Sequence, residues 1–365
     1  MLWHIYLTRN CNLNCLYCGS DVKFETIPSE PEWETNSLIK LLKSYPEPII
    51  NFYGGEPLLR IDRMIELIEK LQSAIPEIKF VLQTNGIFLD NIPSPYLKFF
   101  HSILVSVDGR PEITDHYRGK GVYKRVAKNV MHLSENSYFT GELIARMTVS
   151  RITEIDKDVR YYLESSTNPG FTHVHWQLDA LWNAESWSNF SEWISFTYNP
   201  GISRLIKWWW EEITEKGKIH KIVPFLGIFY SLLTKKPVTE LRCGAGSSSA
   251  TVSTDGKLLF CPVCPEEPEA EIGNINSPEK IQKIKLKEPC VSCDVLHICG
   301  GRCLFVNFFS IGTPESWEAV CSSVKHLIRE LKLLVPKFVA KREQLGLKID
   351  DFRYPEINNG CEVIP

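Results

Sequence analysis

Residues 2–18 read Leu2-Trp3-His4-Ile5-Tyr6-Leu7-Thr8-Arg9-Asn10-Cys11-Asn12-Leu13-Asn14-Cys15-Leu16-Tyr17-Cys18, an apolar, strand-like run followed at once by three cysteines spaced C-x3-C-x2-C. Three thiols on one short loop can hold three corners of a single metal cluster. A [4Fe-4S] cube has four irons and normally takes four cysteine ligands, so such a loop leaves one iron free to bind something else. The same cysteines admit plainer readings, as half of a zinc site completed elsewhere or as unrelated thiols. The remainder of the chain favours the cluster.

A chain of 365 residues exceeds one compact core of ordinary size and predicts roughly two domains. The formal net charge of −3, with both signs interspersed, argues against nucleic-acid binding through a phosphate-neutralising surface. The longest uncharged apolar stretch, Ile222–Thr234, has 13 residues, short of the roughly 18 that suggest a membrane span. Met1 leads almost directly into the first strand with no signal-like segment, so the expectation is a cytoplasmic protein with neither nucleic acid nor membrane as partner. Three of the twelve cysteines fall in the first 18 residues, none in the next 224 and nine in the last 123. That clustering points to metal ligation in a reducing compartment rather than to disulfides.

From residue 3 to 180 strand-like runs alternate with helix-like ones, the pattern of parallel strands joined by crossover helices. The strand candidates are Trp3–Leu7, Pro48–Tyr53, Phe80–Leu82, Ile103–Val107, Leu143–Val149 and Val174–Leu178, six where a complete barrel has eight. Between them, Ile61, Met64, Ile65, Ile68 and Leu71 mark the buried stripe of an amphipathic helix. The first four strands are followed by the cysteines, by Gly54-Gly55-Glu56-Pro57, by Gln83-Thr84-Asn85-Gly86, and by Ser106 with Asp108-Gly109. Singly each is an ordinary strand-to-helix turn. Together they line the rim where parallel α/β folds bind ligands, with glycines that let backbone approach a ligand closely. After residue 180 the alternation stops, and Trp182, Trp187, Trp193, Trp208, Trp209 and Trp210 mark a helical connector packing its aromatics, or else a peptide-binding face.

Residues 243–321 carry a second array: Cys243-x12-Gly256-x4-Cys261, then Cys290-x2-Cys293-x5-Cys299-x3-Cys303, then Cys321. Thr254-Asp255-Gly256 reads as the turn of a hairpin that brings Cys243 and Cys261 together. Thr313 and Pro314 open a helix whose apolar face, with Trp317, Val320, Val324, Leu327, Ile328 and Leu331, carries Cys321 inward. Read alone, the array also suits a two-zinc module. Cys264 is an extra thiol beside the hairpin, and Cys361 has no motif around it.

The C-x3-C-x2-C loop resembles the signature of the radical S-adenosylmethionine (SAM) enzymes, whose open iron is chelated by the amino and carboxylate groups of SAM. The resemblance implies reductive cleavage of SAM to a 5'-deoxyadenosyl radical. It places Gly54, Gly55, Glu56 and Pro57 against the SAM amino group, Tyr17 on the adenine side, and Gln83, Thr84, Asn85, Ser106 and Asp108 near the ribose and carboxylate. Arg118 or Arg146 would pair with that carboxylate, a structural ion pair being the alternative for both. The seven-cysteine order resembles the auxiliary-cluster (SPASM) domain behind radical SAM barrels in peptide and protein maturases. It implies two further [4Fe-4S] clusters, one on Cys243, Cys261 and Cys303, the other on Cys290, Cys293, Cys299 and Cys321, with Cys264 the candidate to close the first. Where sulfatase-maturing relatives carry an Asp after the hairpin cysteine, this chain has Pro262, so formylglycine formation is not expected.

The fold expected is α/β: a partial (β/α)6 TIM-like barrel over residues 1–180, a helical connector over 181–240, a Cys-rich auxiliary-cluster domain over 241–335, and a helix end and tail over 336–365. The expected activity is hydrogen abstraction from a residue of a ribosomally made peptide or protein, giving oxidation, a crosslink or a thioether. The expected partners are that substrate and an electron donor such as flavodoxin or ferredoxin; with no winged-helix segment before the barrel, leader recognition is expected to fall to a separate protein or to the barrel itself. The rivals are a small-molecule substrate, and an iron-sulfur or zinc protein that never cleaves SAM.

Overall fold

The computed structural model describes residues 1–18, 27–179, 189–264, 267–277, 282–354 and 360–365. Trp182 and Trp187 lie outside the described residues, as does the start of the connector. All six expected strands form: β1 Leu2–Thr8, β2 Ile49–Gly54, β3 Lys79–Thr84, β4 Phe100–Ser106, β5 Glu142–Val149 and β6 His173–Leu178. They pair in parallel in the order β6-β5-β4-β3-β2-β1.

Successive side chains on a strand point to opposite faces, and that alternation splits the apolar residues into two sets. Trp3, Ile5, Phe52, Phe80, Leu82, Ile103 and Val105 join the main core, together with Leu38, Leu41, Met64, Ile68, Val126 and Val130 of the helices Thr35–Lys43, Ile61–Ala74 and Val122–Ser134. Val81, Leu104 and Ile144, one residue out of phase, form a separate inner cluster with Val223 and Cys361. The outer face of the sheet thus belongs to the helices and the inner face to a lumen. On Ile61–Ala74 the buried residues are Met64, Leu67, Ile68 and Leu71, with Leu67 taking the place the stripe gave to Ile65.

The sheet continues past β1. Strand β7, Ser249–Val252, runs parallel to β1 with Leu2 opposite Ser249 and Ile5 opposite Val252, and β8 Lys257–Leu259 and β9 Glu271–Asn274 follow antiparallel. The expected hairpin forms, and Gly256 at its turn has φ 84°, where a side chain is strained. The Cys-rich region therefore shares a nine-stranded sheet with the barrel. The reason is the edge of β1: unpaired N–H and C=O groups there need cover, and β7, buried at all four positions, supplies it.

The connector is helical, with Phe190–Trp193, a π turn at Ile194–Tyr198, then Asn199–Lys216 and Val223–Thr234. Trp193, Trp209 and Trp210 are buried, and Trp209 meets Phe225, Phe229 and Phe352 edge-on at 5.5, 5.8 and 5.8 Å. These rings pack the core. No described helix is long and apolar enough to cross a membrane.

Candidate active site

The three N-terminal thiols sit on the loop leaving β1, Cys11 and Cys18 exposed and Cys15 partly buried. Burial pushes the Cys15 thiol up to about 11 and moves Cys11 in the same direction, and neighbouring thiolates add to both shifts. Such a set resists ionising by itself and favours a cationic metal partner that removes the repulsion.

The loop is held from two sides. On the first, the Gly55 N–H donates to the Thr8 carbonyl (2.9 Å) and the Glu56 N–H to the Asn10 carbonyl (2.8 Å). A Cβ on Gly54 would lie 2.1 Å from Thr8 O, and one on Gly55 2.3 Å from Asn10 O. The close approach these glycines allow here is that of the cysteine loop's own backbone. Glu56 is fully buried; it accepts from the Leu58 N–H (2.9 Å), the Thr84 hydroxyl (2.7 Å) and the Asn85 N–H (2.7 Å), while Pro57 starts the 3-10 turn that Glu56 caps. Asn85 in turn donates to Asn12 Oδ1 (2.8 Å) and lies 3.8 Å from Cys11 Sγ. The loops after β1, β2 and β3 are thereby one hydrogen-bonded unit.

On the second side Asp108, fully buried, accepts from Tyr17 Oη (2.6 Å), from Arg118 Nε and Nη2 (2.8 and 2.9 Å), and from the Thr148 N–H (3.0 Å). Burial opposes the Arg118 charge, yet Asp108 beside it raises its pKa above the ordinary value. Arg118, read from the sequence as a partner for the SAM carboxylate, is engaged by a protein carboxylate instead. So is Arg146, whose Nη1 and Nη2 reach Glu362 at 3.1 and 3.3 Å and whose Nη1 lies 3.0 Å from His175 Nδ1. A guanidinium taken out of water needs a fixed counter-charge, and these two have one. Asp108, expected near the ribose and carboxylate, is likewise saturated by protein donors.

Towards the strand ends nearest this loop the inner face carries partly exposed residues: Tyr6, Tyr53, Gln83, Ser106, Arg146, Thr148 and Gln177. Tyr6 donates to the Pro262 carbonyl (2.6 Å), which ties the end of β1 to the segment that follows β8. Burial pushes the Tyr53 hydroxyl up to about 12, with Arg146 opposing the shift and Cys261, Glu362 and Cys18 adding to it, so Tyr53 is within electrostatic reach of both the N-terminal loop and the hairpin.

The second array divides in two. Cys243, Cys261 and Cys303 are partly buried and lie near one another: Cys243 feels the charge of Cys261 and Cys303, and Cys303, pushed up to about 11 by burial, that of Cys261. The buried Cys264 belongs with them: its thiol donates to the Cys261 carbonyl (3.0 Å), and its hydrogen bond to the Cys261 thiol leads the causes that raise that thiol's pKa. Cys290, Cys293, Cys299 and Cys321 line one cavity of about 750 Å³ with Arg302, Trp317 and Lys325. The division follows the crossed pattern expected from the sequence. Cys321 departs in one respect: it is exposed to the cavity, while Val324, Leu327, Ile328 and Leu331 of Pro314–Lys332 enter the core. It stands at the edge of the apolar stripe. Among the described residues no three His, Cys, Asp or Glu side chains form a single-ion site. Glu362 was missed in the sequence, where the one signal for it was the need of Arg146 for a counter-charge.

Residues 5–159 match the Radical SAM superfamily. That part of the chain is a radical SAM domain. Fe-coproporphyrin III synthase of Methanosarcina barkeri is 31% identical over 159 residues, 41% of this chain and 37% of that protein. Mycofactocin maturase MftC of Mycolicibacterium smegmatis is 23% identical over 329 residues, 84% of this chain and 79% of that one. The chain spans about a third to a half of the length of the first curated relatives it matches, at 37%, 53% and 34%. Native anSMEcpe with bound AdoMet shares the fold, with a TM-score of 0.70 at 19% identity over 94% of this chain and 100% of that one. A radical SAM protein implies a [4Fe-4S] cluster and SAM, and the residues fit both. The loop supplies three thiols, and the rim beside it is braced by Glu56, Asn85 and Asp108.

Proposed function

We propose that this radical SAM protein is a peptide- or protein-modifying maturase of the auxiliary-cluster type. Cys11, Cys15 and Cys18 hold the cluster that binds SAM, with the rim at Gly54–Pro57, Gln83–Asn85 and Ser106 beside it; Cys243, Cys261, Cys264 and Cys303 hold a second cluster, and Cys290, Cys293, Cys299 and Cys321 a third. Reductive cleavage of SAM supplies the radical that takes hydrogen from the substrate; the chain aims that radical and excludes water and oxygen. The observation that carries this reading is the presence, in one fold, of the three-thiol loop and a second thiol set at the hairpin, with Tyr53 of the barrel wall within electrostatic reach of both Cys18 and Cys261. A substrate radical formed beside the N-terminal loop would then have an electron acceptor site within the same fold. The partners of this reading are a cytoplasmic peptide or protein and an electron donor such as flavodoxin or ferredoxin, with leader recognition by a separate protein or by the barrel itself.

Anaerobic reconstitution should give about twelve irons per chain, four per cluster. Zinc at two per chain with iron near four would overturn the auxiliary clusters. Cys15→Ala should abolish deoxyadenosine formation under reductant, because two thiolates cannot hold the cube; SAM cleavage at the wild-type rate in that variant would refute the N-terminal site. A second reading, a small-molecule substrate, draws support from the 31% identity to a porphyrin-product synthase. Transfer of deuterium from a labelled peptide into deoxyadenosine separates the two.

A further inference from the structure

Residues 360–365 lie inside the barrel. Gly360 passes Asn51, Val81 and Leu104, and Cys361 fits into the inner apolar cluster. Glu362 reaches Arg146 at 3.1 and 3.3 Å and His175 Nε2 at 3.6 Å. Val363 fills the space left by Gly227 on the helix Val223–Thr234, where a Cβ would come within 2.4 Å of a Val363 methyl. Gln177 Nε2 donates to the Ile364 carbonyl (3.0 Å), Tyr354 Oη to the Cys361 carbonyl (2.9 Å), and Arg302 Nε to the Pro365 carbonyl (2.6 Å).

This is how a bound peptide is held. The segment belongs to no strand of the sheet, and three of its backbone carbonyls, those of Cys361, Ile364 and Pro365, accept from side chains elsewhere in the chain. Its one charged side chain meets a cation that β5 has already placed in the lumen. A segment selected only to fill the barrel would be apolar throughout, since bringing a carboxylate inside costs free energy unless a site is built for it. Glu362 also keeps 27% of its side chain exposed, so it borders open space and is not sealed in the core.

We propose that the barrel lumen is a recognition channel for an extended peptide bearing an acidic residue followed by a branched aliphatic one, and that residues 360–365 are its resident occupant. The proposal rests on the peptide-modifying reading and names its substrate class. Arg146 with His175 reads the carboxylate, the bare surface at Gly227 takes the branched side chain, and Gln177 takes the carbonyl two residues after the acidic one. Side-chain pockets give such a channel its specificity and backbone contacts its affinity. A substrate peptide and the resident segment then compete for one site, and weakening the segment strengthens the binding of an added peptide.

The test uses the reconstituted full chain with SAM and no low-potential reductant, so that binding is read apart from chemistry. The probe is fluorescein-labelled Gly-Cys-Glu-Val-Ile-Pro, followed by anisotropy. We expect it to bind Glu362→Gln about tenfold more tightly than wild type, a Gln-for-Glu peptide to bind about tenfold more weakly, and Arg146→Gln to lose the preference for Glu. Should Glu362→Gln fold poorly, hydrogen exchange in wild type decides: saturating peptide should deprotect the amides of 361–364 and protect those of β5 and β6. Unchanged protection at 361–364, or no tighter binding by Glu362→Gln, overturns the channel and makes the segment a fixed floor. That failure leaves the maturase reading standing, whereas displacement without deuterium transfer from any peptide would refute the maturase reading and leave the channel intact.

Discussion

Asp108 joins the cysteine loop, through Tyr17, to the helix Pro111–Arg118 and to β5. Because Arg118 is buried with it, Asp108→Asn leaves a guanidinium without its counter-charge, which costs about 3–5 kcal/mol. Thermal or denaturant unfolding reads this; a loss under 1 kcal/mol would show that solvent reaches the pair. Gly55→Ala acts at the opposite brace. Its Cβ would stand 2.3 Å from Asn10 O, a backbone atom that cannot swing away, so the loop itself must move. We expect deoxyadenosine formation to fall more than tenfold while the far-ultraviolet circular dichroism is unchanged; wild-type turnover would mean that the loop relaxes freely. The sequence marked both positions, because a glycine or an aspartate at a strand end is conspicuous. It assigned them to a ligand. The distinction between touching a ligand and holding the loop that touches it is a matter of backbone approach, which residue type alone does not encode.

Elements with local chemistry were the legible ones. The helix Pro314–Lys332 starts where Thr313 and Pro314 mark it, and Thr313 and Ser316 complete a reciprocal cap. Thr313→Ala should therefore cost about 1 kcal/mol in chemical denaturation, with Thr313→Ser close to wild type. The hairpin at Gly256 was equally visible, since turn residues dictate turns. The pairing of β7 with β1 was not, nor the placing of Glu362 beside Arg146. Both join residues more than two hundred positions apart, and an open strand edge or a buried cation states only that a partner is needed. The hairpin carries its own test. If Cys264 completes the cluster of Cys243, Cys261 and Cys303, Cys264→Ala should alter the low-temperature EPR of one auxiliary cluster and leave the other signals alone. An unchanged spectrum, with a new signal when a thiol peptide is added to wild type, would assign the fourth position to the substrate.

Taken whole, the molecule keeps a polar network at the centre of its barrel, and this network sets its response to acid. His4 accepts from Asn51 Nδ2 (2.9 Å) at Nδ1, and His175 stands between Arg146 and Glu362. Burial, first of all, lowers His4 to about 4 and His175 to about 3, with Arg146 adding to the shift and Glu362 opposing it. In the unfolded chain both would titrate near the ordinary 6.5. Between those values the unfolded state binds more protons than the folded one, so stability rises with pH across the window. The contribution is complete above about pH 6.5, and it is lost as pH falls to about 4 for His4 and about 3 for His175. For His4 alone the shift corresponds to a loss of the order of 3 kcal/mol. Glu362 acts in the same sense further down. Burial works against its charge, but Arg146 and His175 hold its pKa below the ordinary carboxylate value, so its stabilisation also goes as acid protonates it. The melting temperature should therefore decline steadily from pH 6.5 downward. Hydrogen exchange should show β5, β6 and residues 360–364 loosening before the outer layer of helices. His175→Gln, which removes one proton-binding site, should flatten the lower part of that decline. A melting temperature constant from pH 7 to pH 4 would mean that water already reaches these imidazoles in the native state, and that the lumen is open rather than filled.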